Sequence, residues 1–345
     1  MQKTIIISLI TASLLSNVYG DETKNSAQIM QETLSKMKTI AGENKQNTKL
    51  SNEDNTTVFD YKLKATKVSE NVWCFLGALE GPSKKNAGNM VNTCYVKTDD
   101  SYVVVDSGPS YQYAKQAYAI MNNIKKLPAS TVISTHSHDD HWLGNSFYKE
   151  TFNAKIIGPQ LINDDFKEGD QTRMFKVLPE NAIKGTKIIP VDEVPTKTIA
   201  FTVGNVEFEI IAVGSKAHTM EDFFIYMPKQ KVLFAGDLAM NGRITSNRDG
   251  SLLGQLKAIE MMKEKDYDTF IPGHGLDTSK NGMDDAEKYF TLLYKRVKDA
   301  LENEIEMTEL SEAIPMDEFK DRAMFNALNG RNVQEAFTEL EFSEE

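Results

Sequence analysis

The stretch Ser134–Gly144, STHSHDDHWLG, decides how this chain is read. It places His136, His138 and His141 together with Asp139 and Asp140 inside six residues, although the whole chain has only five histidines. The preceding residues, TVIST, are β-branched and read as a strand, whereas HWLGNSFYKE has the spacing of a helix. The histidines therefore sit where a strand gives way to a helix. Two histidines two apart in extended chain can turn toward one point. Asp140 and His141 then face a second point as the helix begins, and Asp139 or Asp140 could instead cap that helix.

The other two histidines repeat the arrangement. His218 lies in AVGSKAHTMED and His274 in FIPGHG, while Asp237 lies in VLFAGDL and Asp106 in YVVVDSG. Each follows a short apolar strand: FEIIAV, DTFI, KVLFAG and YVVV. If these strands lie side by side, their ends gather at one edge, where rigid strands carry functional loops. Neutral imidazole and carboxylate are the borderline-to-hard donors that suit Zn²⁺. A lone histidine is usually a solvated or hydrogen-bonded side chain, but here none of the five lies away from a strand end. A metal site is the reading that accounts for all of them.

The rest of the chain supplies the frame. Its 345 residues are 40% hydrophobic and 26% charged, enough for one large core with appendages. A net charge of −11 with no basic block argues against a nucleic-acid surface and against attraction to an anionic membrane. Lys3, the apolar run TIIISLITASLL and the small residues Val18 and Gly20 have the form of a secretory signal over residues 1–20. Export to a periplasmic or secreted location is the expectation, with no integral membrane span after cleavage. An uncut anchor is the alternative, although the run is short for one. Residues 21–57 read as a polar linker with one amphipathic helix in AQIMQETLSKMKTIA. Strands and helices alternate over 58–304, which indicates α/β layered packing. Residues 305–345 read as a helical tail in two pieces. Cys74 and Cys94, in neighbouring strands, read first as two buried small hydrophobes; in an oxidising compartment a disulfide is the alternative.

THSHDDH, AHTMED, GDL and PGHG, in that order, resemble the motifs of the metallo-β-lactamase superfamily over about residues 65–300. The resemblance implies a four-layer αβ/βα sandwich with its metal site at one edge. It implies that His136, His138 and His218 bind a first metal, that Asp140, His141 and His274 bind a second, and that Asp237 bridges them. Asp106 then corresponds to a supporting aspartate that is not itself a ligand; a turn aspartate after a strand is the plainer reading. Asp222 matches a position often acidic in the family and is not assigned a catalytic role. The set is closer to glyoxalase II than to lactamases that carry cysteine at the bridging position. That enzyme's basic glutathione-binding cluster has no counterpart in the tail, and FNALNGRNVQEAFTELE is weakly similar to the C-terminal helix of exported superfamily members.

Two zinc ions per chain, or iron in their place, are the implied cofactors. The expected chemistry is attack of a metal-bridging hydroxide on an ester or thioester carbonyl of a small molecule, with Asp140 as the catalytic carboxylate. The alternatives are a class B-type β-lactamase, a mononuclear iron persulfide dioxygenase, and a non-catalytic metal-binding domain. Oligomeric state is not legible.

Overall fold

Each of the two sheets has too much apolar surface on both faces to stand alone, and that determines the layering. The computed structural model describes residues 57–168 and 172–343. The signal sequence and linker helix expected before residue 57 lie outside the described residues. The first sheet has the order β1 (Ala65–Ser69), β2 (Val72–Phe75), β3 (Thr93–Lys97), β4 (Tyr102–Val105), β5 (Ala129–Ile133), β6 (Lys155–Ile157). The second sheet runs β11 (Thr269–Pro272), β10 (Val232–Gly236), β9 (Phe223–Met227), β8 (Val206–Ala212), β7 (Ile199–Val203).

Val103, Val105 and Ile133 of the first sheet pack with Phe208, Ile225 and Phe234 of the second in one buried cluster between the sheets. The first sheet's outer face, with Tyr95, Tyr102 and Val104, is covered by Tyr113, Ala117 and Met121 of α1 (Tyr111–Ile124) and by Phe147 and Tyr148. The two latter belong to α3 (Asn145–Phe152), which follows the short α2 (Asp139–Trp142). Between β6 and β7 the chain forms α4 (Gln160–Glu168), α5 (Arg173–Val177) and α6 (Glu180–Ile183). The second sheet's outer face is covered by α7 (Leu252–Lys263) and α8 (Asp284–Glu302). The result is the αβ/βα sandwich.

Four details differ from the sequence reading. Residues 151–196, where the sequence shows no regular strand or helix period and reads as irregular, contain a sixth strand of the first sheet, β6, which pairs parallel with β5. The helix begun by HWLG is two helices, interrupted at Leu143 and Gly144. A Cβ on Gly144 would come within 2.2 Å of the Ser107 carbonyl oxygen, so this break brings α2 and α3 against the loop after β4. Cys74 and Cys94 are buried, as two small hydrophobes would be, but they are bonded to each other across paired positions of β2 and β3. Their sulfurs lie in the inter-sheet core, so register and disulfide reinforce one another.

The tail is more broken than two helices. Short turns at Met307–Glu309 and Asp317–Phe319 flank α9 (Leu310–Ala313), and α10 (Phe325–Phe342) closes the chain. Leu310, Ile314, Met316, Phe319, Val333, Ala336 and Phe337 belong to the same buried cluster as α7, α8 and the second sheet. Glu339 accepts hydrogen bonds from the backbone N–H groups of Leu252 and Leu253, at the N-terminus of α7. No helix among the described residues is long and apolar enough to cross a membrane. Because Phe337 is only 5% exposed, Phe337→Ala should destabilise the entire fold by about 3–5 kcal/mol. Urea unfolding followed by tryptophan fluorescence would show it as a lower midpoint of a single transition.

Candidate metal centre

Strand direction brings the functional residues to one edge. β4, β5 and β6 are mutually parallel, as are β10 and β11. β8 and β10 are both antiparallel to β9 and so run the same way. Asp106, His136, His218, Asp237 and His274 follow the C-terminal ends of β4, β5, β8, β10 and β11 respectively. The sheets are joined at this edge by Asn92, a buried residue. Its backbone N–H donates to the Gly273 carbonyl (2.7 Å) and its side-chain amide to the Pro272 and Gly275 carbonyls (2.9 and 2.8 Å).

The ligand-type side chains form two groups, His136, His138, His218 and Asp237 in one and Asp140, His141 and His274 in the other. Within each group the ligand atoms lie within 4.8 Å of one another. Asp237 stands between them. Its Oδ2 is 3.3 Å from His218 Nε2 and 3.7 Å from His136 Nε2, while Oδ1 is 3.3 Å from His141 Nε2. Oδ2 also lies 3.3 Å from His274 Nε2. Asp140 Oδ2 is 3.7 Å from His141 Nε2 and 3.4 Å from His274 Nε2. All seven residues singled out in the sequence as metal ligands thus come together.

The outward-facing nitrogen of four imidazoles is engaged, which directs the remaining lone pair inward. Asp106 accepts from His141 Nδ1 (2.8 Å) and from the Thr135 hydroxyl (2.9 Å). With its proton committed to Asp106, the Thr135 oxygen accepts from His136 Nδ1 at 3.0 Å. Met90 O accepts from His274 Nδ1 at 2.6 Å, and Asp249 accepts from His138 Nε2 at 3.2 Å. Asp106 therefore supports ligands rather than merely closing a turn, and its φ of 54° is a left-handed conformation that aspartate tolerates better than most side chains. Asp222 accepts from the backbone N–H and hydroxyl of Thr219, fixing the loop that carries His218.

This arrangement fits divalent metal. His218 Nε2 faces His138 Nδ1 at 2.9 Å, and His141 Nε2 faces His274 Nε2 at 3.3 Å. Inward lone pairs that close repel unless a proton or a cation lies between them. A tetrahedral ion with ligands at about 2.0–2.1 Å separates adjacent donor atoms by roughly 3.3 Å. His136 Nε2 and Asp237 Oδ1 are buried without a hydrogen-bond partner, as atoms reserved for a metal would be.

The electrostatics agree. Burial, reinforced by neighbouring His141, holds the His136 imidazole well below its usual range. Burial also lowers His138, against the pull of Asp249. For His141 burial acts downward too, but the carboxylates of Asp237, Asp106 and Asp140 outweigh it and raise the imidazole. Burial would raise the carboxyls of Asp140 and Asp237; the surrounding histidines overcome it and hold both well below the usual carboxylate range. Both carboxylates are ionised at neutral pH, so the centre presents anionic oxygen and imidazole nitrogen together.

Several residues here were not singled out in the sequence. Arg173 donates to Asp139 Oδ1 (3.0 Å) and Asp140 Oδ1 (2.8 Å), and Asp139 Oδ2 accepts from the backbone N–H of Met174 (2.7 Å). Neither aspartate caps α2, whose N-terminal flank is His138 with no side-chain cap; their free oxygens are used across the chain instead. Asp249 sits in SNRDGS, a plain turn sequence, and Thr135 and Asn92 are ordinary strand-end residues. No local pattern marks them.

A family model described as metallo-beta-lactamase superfamily matches residues 87–274. A hydroxyacylglutathione hydrolase from Bartonella henselae is 25% identical over 157 residues, 44% of this chain and 53% of its own length. The chain thus spans about half the length of that relative. A metallo-beta-lactamase type 2 from Elizabethkingia meningoseptica is 25% identical over 197 residues, 56% of this chain and 68% of its own. Among solved structures, a metallo-beta-lactamase from Pontibacter korlensis superposes with a TM-score of 0.52 at 19% identity, covering 66% of this chain and 99% of that one. A sec-alkylsulfatase from a Pseudomonas species reaches 0.58 at 16% identity, covering 81% and 51%.

A methyl group on Gly273 would stand 2.1 Å from Asp237 Oδ1 and 2.6 Å from the Gly236 backbone. Gly273→Ala should therefore displace the Asp237 carboxylate and weaken binding of both metal equivalents, read by zinc titration against a chromogenic chelator. Asp249→Ala releases the His138 ring without touching a ligand atom and should weaken zinc binding by about 10–100-fold.

Proposed function

Because the chain belongs to the metallo-beta-lactamase superfamily, a superfamily of metallo-hydrolases, we propose that it is a dinuclear zinc hydrolase acting on an ester or thioester carbonyl. The observation that carries this reading is the Asp237 carboxylate lying between the two imidazole groups. It would be a ligand that two metals could share, one held by His136, His138 and His218 and the other by Asp140, His141 and His274. Two zinc ions, when bound there, would supply Lewis acidity and would lower the pKa of a water toward about 7.

The chain's own residues do the rest. Asp140 is oriented to hold the attacking water and take its proton. One oxygen is fixed by Arg173, the other points between His141 and His274, and the carboxylate cannot swing away. Asp106 keeps His136 and His141 in the tautomers that present Nε2. All five histidines belong to the two ligand groups, which leaves none for a serine–histidine pair. Asp140 is then the group that returns a proton to the leaving atom. A thiolate departs with little protonation, whereas an amide nitrogen needs more help.

Hydrolysis of β-lactams is the second reading, favoured by the Elizabethkingia relative. Against it, both cysteines are consumed in the Cys74–Cys94 disulfide, so no thiolate is available among the metal ligands. The disulfide also supports operation in an oxidising compartment, periplasmic or extracellular, to which the basic and apolar leader would direct the chain.

Zinc-loaded protein should show a higher kcat/KM for simple acyl thioesters than for a penicillin, a cephalosporin and a carbapenem. A tenfold preference for any β-lactam would reverse the assignment. Two zinc equivalents per chain are expected by elemental analysis, against one iron for a dioxygenase. Asp140→Asn should lower kcat by about 10²–10⁴-fold.

A further inference from the structure

The C-terminal segment meets the metal centre indirectly. Its Met324 and Leu328 line the narrow cleft in front of the ligands, but the same segment also holds the backbone that supports two of the histidines. Between β10 and α7 the chain forms neither strand nor helix apart from one bridge, Arg243 to Ala323. This stretch carries Asp249, which accepts from His138 Nε2. Backbone without a ladder of its own must find partners for its N–H and C=O groups elsewhere, and here the tail provides them. Ile244 N–H donates to the Ala323 carbonyl at 2.9 Å. Asn332 of α10 accepts from the Asn247 N–H (2.9 Å) and donates to the Thr245 carbonyl (2.7 Å).

Asn332 is suited to this by its chemistry. Bridging a carbonyl and an N–H two residues apart takes a donor and an acceptor on one short side chain, which an amide offers and a carboxylate does not. The residue is 1% exposed, and its orientation is fixed. The amide nitrogen also donates to the Tyr289 hydroxyl at 3.0 Å, and that hydroxyl donates to Asn329. Both amide hydrogens are thereby committed, and the oxygen is left for Asn247.

The far end of the stretch is held by Glu339, which accepts from the Ser251 hydroxyl and from the Leu252 N–H at the N-terminus of α7. That turn lies directly on the backbone preceding His218. Ser251 N–H donates to the Ala217 carbonyl at 2.7 Å. A Cβ on Gly250 would come within 2.3 Å of the Ala217 oxygen, and one on Gly254 within 1.8 Å of the Lys216 oxygen. With no room for even a methyl group between them, a shift of the α7 N-terminus shifts the His218 loop.

We propose that Asn332 and Glu339 are positioning residues for the metal site formed by His136, His138 and His218. Asn332 acts on His138 through Asp249, and Glu339 acts on His218 through the first turn of α7. The tail helix then sets the zinc affinity of this site and not of the other, because Asp106 and the Met90 carbonyl, which hold His141 and His274, belong to loops of the first sheet. The inference rests on the metal reading above and is independent of the substrate.

The test is zinc titration of metal-free protein against a chromogenic chelator. A His274→Ala background isolates the three-histidine site, and a His218→Ala background the other. In the first, Asn332→Ala should weaken zinc binding by about threefold to tenfold, less than the loss of a group bonded directly to a metal ligand. Glu339→Gln should weaken it in the same direction. Val333→Ala is the control, since it opens a cavity in the same helix at a residue 3% exposed and leaves these hydrogen bonds in place. At a comparable loss in urea midpoint it should keep zinc affinity within about twofold. Once Asp249 is changed to Ala, Asn332→Ala should add little. With cobalt in place of zinc, the visible ligand-field bands of the three-histidine site should shift in Asn332→Ala and stay in place in Val333→Ala. A folded Asn332→Ala protein that matches Val333→Ala in zinc affinity overturns the proposal, as does equal weakening in the His218→Ala background. If Asn332→Ala does not fold, Glu339→Gln decides, and unchanged affinity there overturns it. Wild-type protein that binds no zinc removes the metal reading and this proposal together, whereas zinc binding without thioester turnover fails the hydrolase reading alone.

Discussion

The whole arrangement depends on keeping two ionised carboxylates, Asp140 and Asp237, buried among imidazole lone pairs at the common edge of two sheets. Such a cluster is unstable by itself: its anions are desolvated and its nitrogen lone pairs face one another at contact distance. It persists only because a second ring of donors and acceptors fixes each side chain from behind. Asp106, Thr135, Asp249 and the Met90 carbonyl each remove one choice of tautomer or rotamer. The sandwich supplies the rigid backing, since strands buried on both faces cannot shift to relieve the crowding.

That dependence explains what the sequence revealed and what it withheld. The residues that gather at the centre were legible because metal chemistry calls for particular residue types, and strand-end placement was legible because FEIIAV, VLFAG and TVIST are strongly β-forming. The layered α/β class followed from the same alternation. Residues that support the ligands were mostly not legible. Asp106 was marked by its place after YVVV, but Asp249 lies 111 residues from His138 in the chain and sits in an ordinary turn. Arg173 reaches Asp140 from a short helix in a stretch that read as irregular. Their roles arise from proximity that only folding creates.

The cysteines and the tail show the same limit from the packing side. Two cysteines in neighbouring strands can be partners only if the register sets them opposite one another, and register is a property of the pair, not of either strand. It does so here, with Cys74 opposite Cys94. The amphipathic pattern of FNALNGRNVQEAFTELE announced a helix but not its target. Docked against α8, that helix places Val333, Ala336 and Phe337 in the core. Asn332 donates to the Thr245 carbonyl and accepts from the Asn247 backbone N–H, so the helix also orders the loop that leads to Asp249.

The ligand-type residues and the wall in front of them therefore come from different parts of the chain. The ligands emerge from strand ends of the two-sheet core, whose geometry is set by inter-sheet packing and by Asn92. The cleft wall in front of them comes largely from elsewhere. Met324 and Leu328 belong to the C-terminal segment, and the turn bearing Arg243 is held through Ala323 of the same segment. Met324 itself adopts a φ of 66°, unfavourable for a side chain of its size, where the chain turns into α10. Strain of that kind endures only when the surroundings over-determine it; here the bridge to Arg243 on one side and the helix packed on α8 on the other provide the constraint.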